Sequence, residues 1–151
     1  MSILHGIRIV LVATLVATLT VAIPPTTASA DAGVESQFVA SINRERAARG
    51  TPALSVASDL TSIARRWSGV MADQGTLYHN PNVFSQVTSY TKAGENVGRG
   101  QSASSLHTAF MNSAGHRRNI LDRRLRAFGF AAVSDGRTTF AVQVFGGGDG
   151  L

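Results

Sequence analysis

Met111-Asn112-Ser113-Ala114-Gly115-His116-Arg117-Arg118-Asn119-Ile120-Leu121 is the densest run of polar and special residues in the chain, and the rest reads outward from it. Upstream, Ala103, Leu106, Phe110 and Met111 share one face of a helix that Ser102 opens. Ser113, just before Ala114-Gly115, is placed to end that helix and to cap a short one from Gly115 to Leu121. Its hydroxyl oxygen is expected to accept from a backbone N–H at or near His116. His116 then lies in a first helical turn, where the positive end of the helix disfavours an imidazolium. A neutral imidazole can accept a hydrogen bond or ligate a metal ion. Ile120 and Leu121 are the apolar anchors of this turn. The same residues also suit a helix–turn–helix corner whose histidine only caps backbone groups.

Downstream, Phe128 to Val133 and Thr139 to Phe145 are rich in Phe and Val and read as strands. Ser134-Asp135-Gly136-Arg137 between them reads as a hairpin turn. Residues 147–151 read as a flexible tail, with fraying expected from Gly146. Near the start, Val34, Phe38 and Ile42 recur every fourth residue and predict a helix that Gly50 stops. Thr51-Pro52-Ala53-Leu54 is an extended connector. A second helix runs from Ser58 or Asp59 to Gly75, with Leu60, Ile63, Ala64, Trp67, Val70 and Met71 on one face. Trp67, the single tryptophan, is expected in the core. Residues 76–100 show no regular period, and a loop of that length inside a compact domain is usually functional or disordered. Helices first and a hairpin last predict an α+β fold, with helices on a small antiparallel sheet.

The chain has 151 residues, which favours one domain. His5 and Arg8 precede an uncharged run from Ile9 to Ile23; Pro24-Pro25 and Ala28-Ser29-Ala30 follow. That order predicts a signal peptide over residues 1–30 and export. A short lead follows over 31–35, and the folded domain starts at 36. The run falls short of the roughly 20 apolar residues a membrane span needs, so no span is expected after cleavage; an uncleaved N-terminal anchor is the alternative. There is no cysteine, so an exported fold must stand on packing without disulfides. The formal charge is +5, and every basic residue but Lys92 is arginine. The clusters Arg65-Arg66, Arg117-Arg118 and Arg123-Arg124 with Arg126 suit a solvated helix face. In an exported protein they otherwise suit an anionic surface, such as lipid headgroups or cell-wall polymers, rather than nucleic acid.

His79, Glu95 and the Ser113/His116 pair are the polar residues that call for a common explanation. Two neutral imidazoles with a carboxylate and an open position suit zinc or a similar divalent ion. The same groups could act as base, acid and orienting residues. Loop and cap contacts would equally account for each of them.

Tyr78-His79-Asn80-Pro81, Gly94-Glu95-Asn96-Val97 and the run Asn112 to Leu121 together resemble the CAP superfamily. That is the group of cysteine-rich secretory proteins, antigen 5 and pathogenesis-related 1, here in a compact bacterial form. Phe140 to Gly146 resembles the family's last strand, and Ile42 to Arg46 with Gly50 and Leu54 its first helix and connector. The resemblance covers about residues 36–146 and implies a three-layer α–β–α sandwich. It also implies a cavity lined by two histidines and two acidic residues. His79, Glu95 and His116 match three of those positions, and the fourth falls at Ser113. Phe110 stands where the family commonly has tryptophan, and the family's cysteines are absent. His107 matches no cavity position and reads as a helix-surface residue.

The resemblance implies an exported, non-catalytic binding module. Its ligand would be a small or lipid-like molecule, or a cell-wall or host-surface component. His79 and His116 would bind a divalent cation, zinc first, with Glu95 nearby and Ser113 orienting a water. The alternative is a metal-dependent hydrolase of ester or peptide bonds using the same cavity. Neither H-E-x-x-H nor G-x-S-x-G occurs in the chain.

Overall fold

The computed structural model describes residues 27–148 and places nine elements along them. These are α1 (Thr27–Ala47), β1 (Ser55–Val56), α2 (Ser58–Gln74), α3 (Val83–Gln86), β2 (Lys92–Gly100), α4 (Ala103–Asn112), α5 (Ala114–Leu121), β3 (Leu125–Ser134) and β4 (Thr139–Gly147). Residues 1–26 of the expected signal peptide and the tail residues 149–151 lie outside the described residues. Helix α1 begins at Thr27, so residues 31–35 are helical rather than a loose lead.

The strands form one sheet in the order β1-β3-β4-β2. β3 and β2 both run antiparallel to β4, and the two-residue β1 adds to β3 in parallel. The expected antiparallel sheet is therefore mixed at one short edge. Alternation along β4 divides the core in two, because successive strand residues point to opposite faces. Phe140, Val142 and Val144 join Leu60, Ile63, Ala64 and Met71 of α2 on one face. Ala141 and Phe145 join Phe38 and Ile42 of α1, Leu106 and Phe110 of α4 and Ile120 of α5 on the other. That is the three-layer sandwich. Each fully buried Leu, Ile, Phe or Met contributes about 1.5–3 kcal/mol relative to exposure.

Two side chains that a hydrophobic pattern does not single out lock α1 to the rest. Asn43 bonds both backbone groups of Leu54, accepting from its N–H (2.9 Å) and donating to its carbonyl (3.1 Å). Arg46 is fully buried. Its guanidinium donates to the carbonyls of Pro52 (2.6 Å), Ile120 (2.7 Å), Asp122 (3.1 Å) and Leu125 (3.1 Å). It thereby pins the connector, the end of α5 and the start of β3 to one helix. Burial, and then the charge of nearby Arg126, pull its pKa down from the usual arginine value.

The stretch 76–100 is not a single loop: it holds α3 and the nine-residue strand β2. β2 is an edge strand with α4 against it, and its glycines follow from that contact. A Cβ at Gly98 would stand 2.8 Å from the Phe110 ring. Such glycines weaken the strand signal, since a strand normally shows branched and aromatic side chains. At the other end, Gly146 and Gly147 belong to β4 and pair with Ala127 and Leu125 of β3, so neither is frayed as expected.

Candidate functional site

The site is assembled around the edge strand β2, from both of its faces. Glu95 and Asn96 are neighbours there and so point to opposite sides of the sheet. Glu95 meets the segment that follows α2. Trp67 of α2 donates its indole N–H to the carbonyl of Tyr78 (2.9 Å), and the two rings meet edge to face at 4.8 Å. This strap delivers the next residue, His79, to Glu95, with His79 Nδ1 lying 2.7 Å from Glu95 Oε1. The backbone N–H of Asn80 donates to the same oxygen at 2.9 Å. Asn80 also donates its amide to Gln86 (3.0 Å) and accepts from the N–H of Asn82 (3.0 Å), which shapes the turn into α3.

Trp67 is thus half-buried, and it packs against the core rather than within it. Its role is wider than the core packing expected from its helical face.

Glu95 is only 8% exposed, and its second oxygen, Oε2, is buried without a hydrogen-bond partner among the described residues. Burial pushes the Glu95 carboxyl above the usual range, while the hydrogen bonds from His79 and Asn80 act the other way. An acceptor carboxylate at His79 Nδ1 sets the tautomer with the proton on Nδ1. That leaves the Nε2 lone pair of a side chain that is 64% exposed free to face a ligand.

Asn96 faces α5. It donates to the carbonyl of His116 (3.1 Å) and to Gln143 Oε1 (2.7 Å). Asn119 of α5 returns the contact, donating to Asn96 Oδ1 (2.9 Å) and to the carbonyl of Glu95 (3.1 Å). This amide network ties α5, and His116 with it, to the strand that carries Glu95. His116 packs edge to face on Phe110 at 4.9 Å. Burial lowers its pKa, and the nearby charge of His79 lowers it further, so the ring is held towards the neutral form expected for it. The two histidines therefore share one neighbourhood.

Ser113 does not join them as expected. It ends α4 and begins α5 in an extended conformation (φ −90°, ψ 121°), and its side chain makes no cap hydrogen bond. The capping is done by its main chain, whose carbonyl accepts from Arg117 N–H at 2.8 Å. Among the described residues, no three His, Cys, Asp or Glu side chains stand close enough together to hold a metal ion.

A cavity of about 260 Å³ opens beside the pair, lined by His79, Asn80, Phe84, Gly94, Glu95 and Asn119 among others. Larger cavities lie beside Arg65 and beside His107, but neither contains a buried carboxylate paired with an imidazole. His107, read as a surface residue, is half-buried, edge-on to Phe38 at 5.3 Å, with Nδ1 buried and unpaired. The amides of Asn80, Asn96, Asn119 and Gln143 carry much of the site's geometry, and sequence reasoning gave them no role. Gln143 alone carried a signal, since it sits inside the expected strand Thr139 to Phe145, where a buried amide needs partners.

Residues 39–145 match the profile of the family described as "CAP: Cysteine-rich secretory protein family". A curated relative, the Bacillus subtilis protein YkwD, is 32% identical over 123 residues, covering 74% of this chain and 48% of that protein. The chain thus spans about half the length of the curated relative it matches. Among solved structures, an outer surface protein of Borrelia burgdorferi aligns with a TM-score of 0.70 at 15% identity, over 76% of this chain and 92% of the other. An extracellular SCP-domain protein of Bacillus anthracis aligns with a TM-score of 0.67 at 22% identity, over 87% and 45%. The profile, the identity and the shared fold agree, and the chain belongs to the CAP family of cysteine-rich secretory proteins, in its bacterial form.

Proposed function

We propose that this chain is an exported binding module that holds a ligand at the edge of β2 and performs no chemistry on it. The observation that carries the reading is the His79–Glu95 pair. It holds an imidazole at a cavity mouth and leaves a buried carboxylate oxygen uncommitted. A hydrolase built on the same residues needs a nucleophile held by a base. Ser113 has no side-chain hydrogen bond to either histidine, which weighs against that alternative. Export is supported by the N-terminal apolar run with its small-residue cleavage site, and by structural relatives described as extracellular and outer-surface proteins. The ligand is a small or lipid-like molecule or a cell-surface component.

The residues present fit a divalent cation only as an open, weakly held site. His79 and His116 would supply two imidazoles, and Glu95 behind His79 would orient its ring and strengthen it as a ligand. Zinc suits imidazole nitrogen, and with no cysteine in the chain no thiolate competes for it. Bound there, the ion would supply Lewis acidity toward a ligand oxygen.

Calorimetric titration with Zn²⁺ at about one pH unit above and below 6.5 tests this, on wild type and on the His79→Ala/His116→Ala double variant. Binding should weaken at the lower pH and vanish in the double variant; equal binding by both proteins would rule out the cation site. Assays on ester and peptide substrates, with and without chelator, test the absence of chemistry. Turnover lost in His116→Ala and in chelator would overturn the non-catalytic reading.

A further inference from the structure

Phe84 is 72% exposed, the most exposed large hydrophobic side chain among the described residues. The short helix α3 presents it there because the preceding Val83 is buried in the core beneath α2. Asn80 anchors both ends of the turn that leads into the helix. Exposed apolar residues scattered singly need no explanation, but Phe84 is not placed at random. It lines the same cavity as His79, Glu95 and Asn119.

Three polar side-chain atoms left over in that cavity can accept. Glu95 Oε2 is buried and unpartnered. The Nε2 of His79 is the acceptor of the tautomer that Glu95 selects. Asn119 spends its amide hydrogens on Glu95 and Asn96, and no described hydrogen bond reaches its Oδ1. Gly94 beside it carries no side chain to cover it; a Cβ there would stand 3.5 Å from Asn119 Oδ1. An occupant must therefore offer several donors to one wall and a flat apolar surface to an aromatic ring.

Resting on the binding reading above, we infer that this cavity takes a pyranose ring of a glycan. Its C–H face lies on Phe84 and its hydroxyls donate to Glu95, His79 and Asn119. A sugar ring has that division, with hydroxyl donors around its rim and C–H groups across its face. A fatty chain would leave Glu95 Oε2 unpartnered, and an anion would face a carboxylate. An organic ammonium shares the donor character and the attraction to a ring face, so the test must separate it.

The test is titration of the purified protein with N-acetylglucosamine tetramer and, separately, with choline, followed by calorimetry. The variants are Phe84→Ala, Phe84→Trp and Glu95→Gln. Phe84 is exposed, so its variants should fold, and circular dichroism checks that. The tetramer should bind wild type, bind Phe84→Ala roughly five-fold or more weakly, and bind Phe84→Trp at least as well as wild type. Glu95→Gln should weaken it as well, because the uncommitted acceptor is lost. Equal binding by wild type and Phe84→Ala would overturn the inference. If Glu95→Gln still weakened binding in that case, the site reading would survive without the sugar platform. Choline binding without tetramer binding, or no tetramer binding at all, would overturn the sugar assignment. The Zn²⁺ titration of the histidine variants would then judge the site by itself.

Discussion

Arg46 and Glu95 are both buried charges near α5, and they are treated in opposite ways. Arg46 is fully enclosed and spends its guanidinium on four carbonyls from three separate segments. Glu95 has one oxygen held by two donors and the other held by none among the described residues. A buried charge is tolerated when its partners are complete and is costly when they are not. Arg46 is therefore a structural staple. Glu95 keeps an unmet demand beside a cavity, and the proposed binding rests on it.

The largest effect is expected at the staple. Arg46→Met should cost about 3–5 kcal/mol, because it takes the donors away from four carbonyls at once. Denaturant unfolding measures it, and a loss below about 1 kcal/mol would put Arg46 on the same footing as an exposed ion pair. Next comes the strap that brings His79 to Glu95. Trp67→Ala should cost about 2–3 kcal/mol, less than a fully enclosed tryptophan because the ring is half-buried. It should also weaken ligand binding, since the indole hydrogen bond to Tyr78 is lost. Unchanged binding would show that His79 finds Glu95 unaided.

Glu95 itself gives a smaller effect with a distinctive sign. Its folded pKa lies above its ordinary value of 4.5, so the folded state holds the proton more tightly. The stability it contributes is fully present below that value and is lost as pH rises through the folded pKa. Glu95→Gln should therefore gain on wild type as pH goes from about 4 to 7. Thermal unfolding at several pH values checks the slope, and the opposite slope would make the carboxylate a stabilising ion rather than a strained one. His116 runs the other way. Its folded pKa is lowered, so its contribution is present above its ordinary value of 6.5 and is lost as pH falls through the folded pKa. His116→Asn should flatten that acid loss, read from the same series of thermal unfolding measurements.

What the sequence revealed follows the same division. Helices α1, α2 and α4 and strands β3 and β4 were legible because apolar periodicity reports burial of carbon. β2 was not, because Val97 is the one buried apolar side chain in a run of buried glycines and polar residues engaged in the site. Arg46 looked like any helical arginine, since nothing local distinguishes a guanidinium that meets carbonyls 74 to 79 residues away. His79, Glu95 and His116 were found through short motifs resembling a family; the structure pairs His79 with Glu95, while His116 on α5 is tied to β2 through its main-chain carbonyl and Asn96. Ser113 came from the same match, but its contribution is made by the main chain, a distinction that residue identity does not carry. The amides of Asn96, Asn119 and Gln143 form one network only after strand pairing places Asn96 beside Gln143.

The strap from Trp67 has an optical consequence. The chain contains one tryptophan, so its intrinsic emission comes from a single indole. That indole donates its N–H to the carbonyl next to His79 and stacks edge-on against Tyr78. Anything that shifts the His79 segment changes the hydrogen bond and the polarity felt by the one fluorophore. The protein thus carries, without added label, a spectroscopic readout of its own candidate site, and the binding proposed at β2 can be followed by the colour and yield of that single residue.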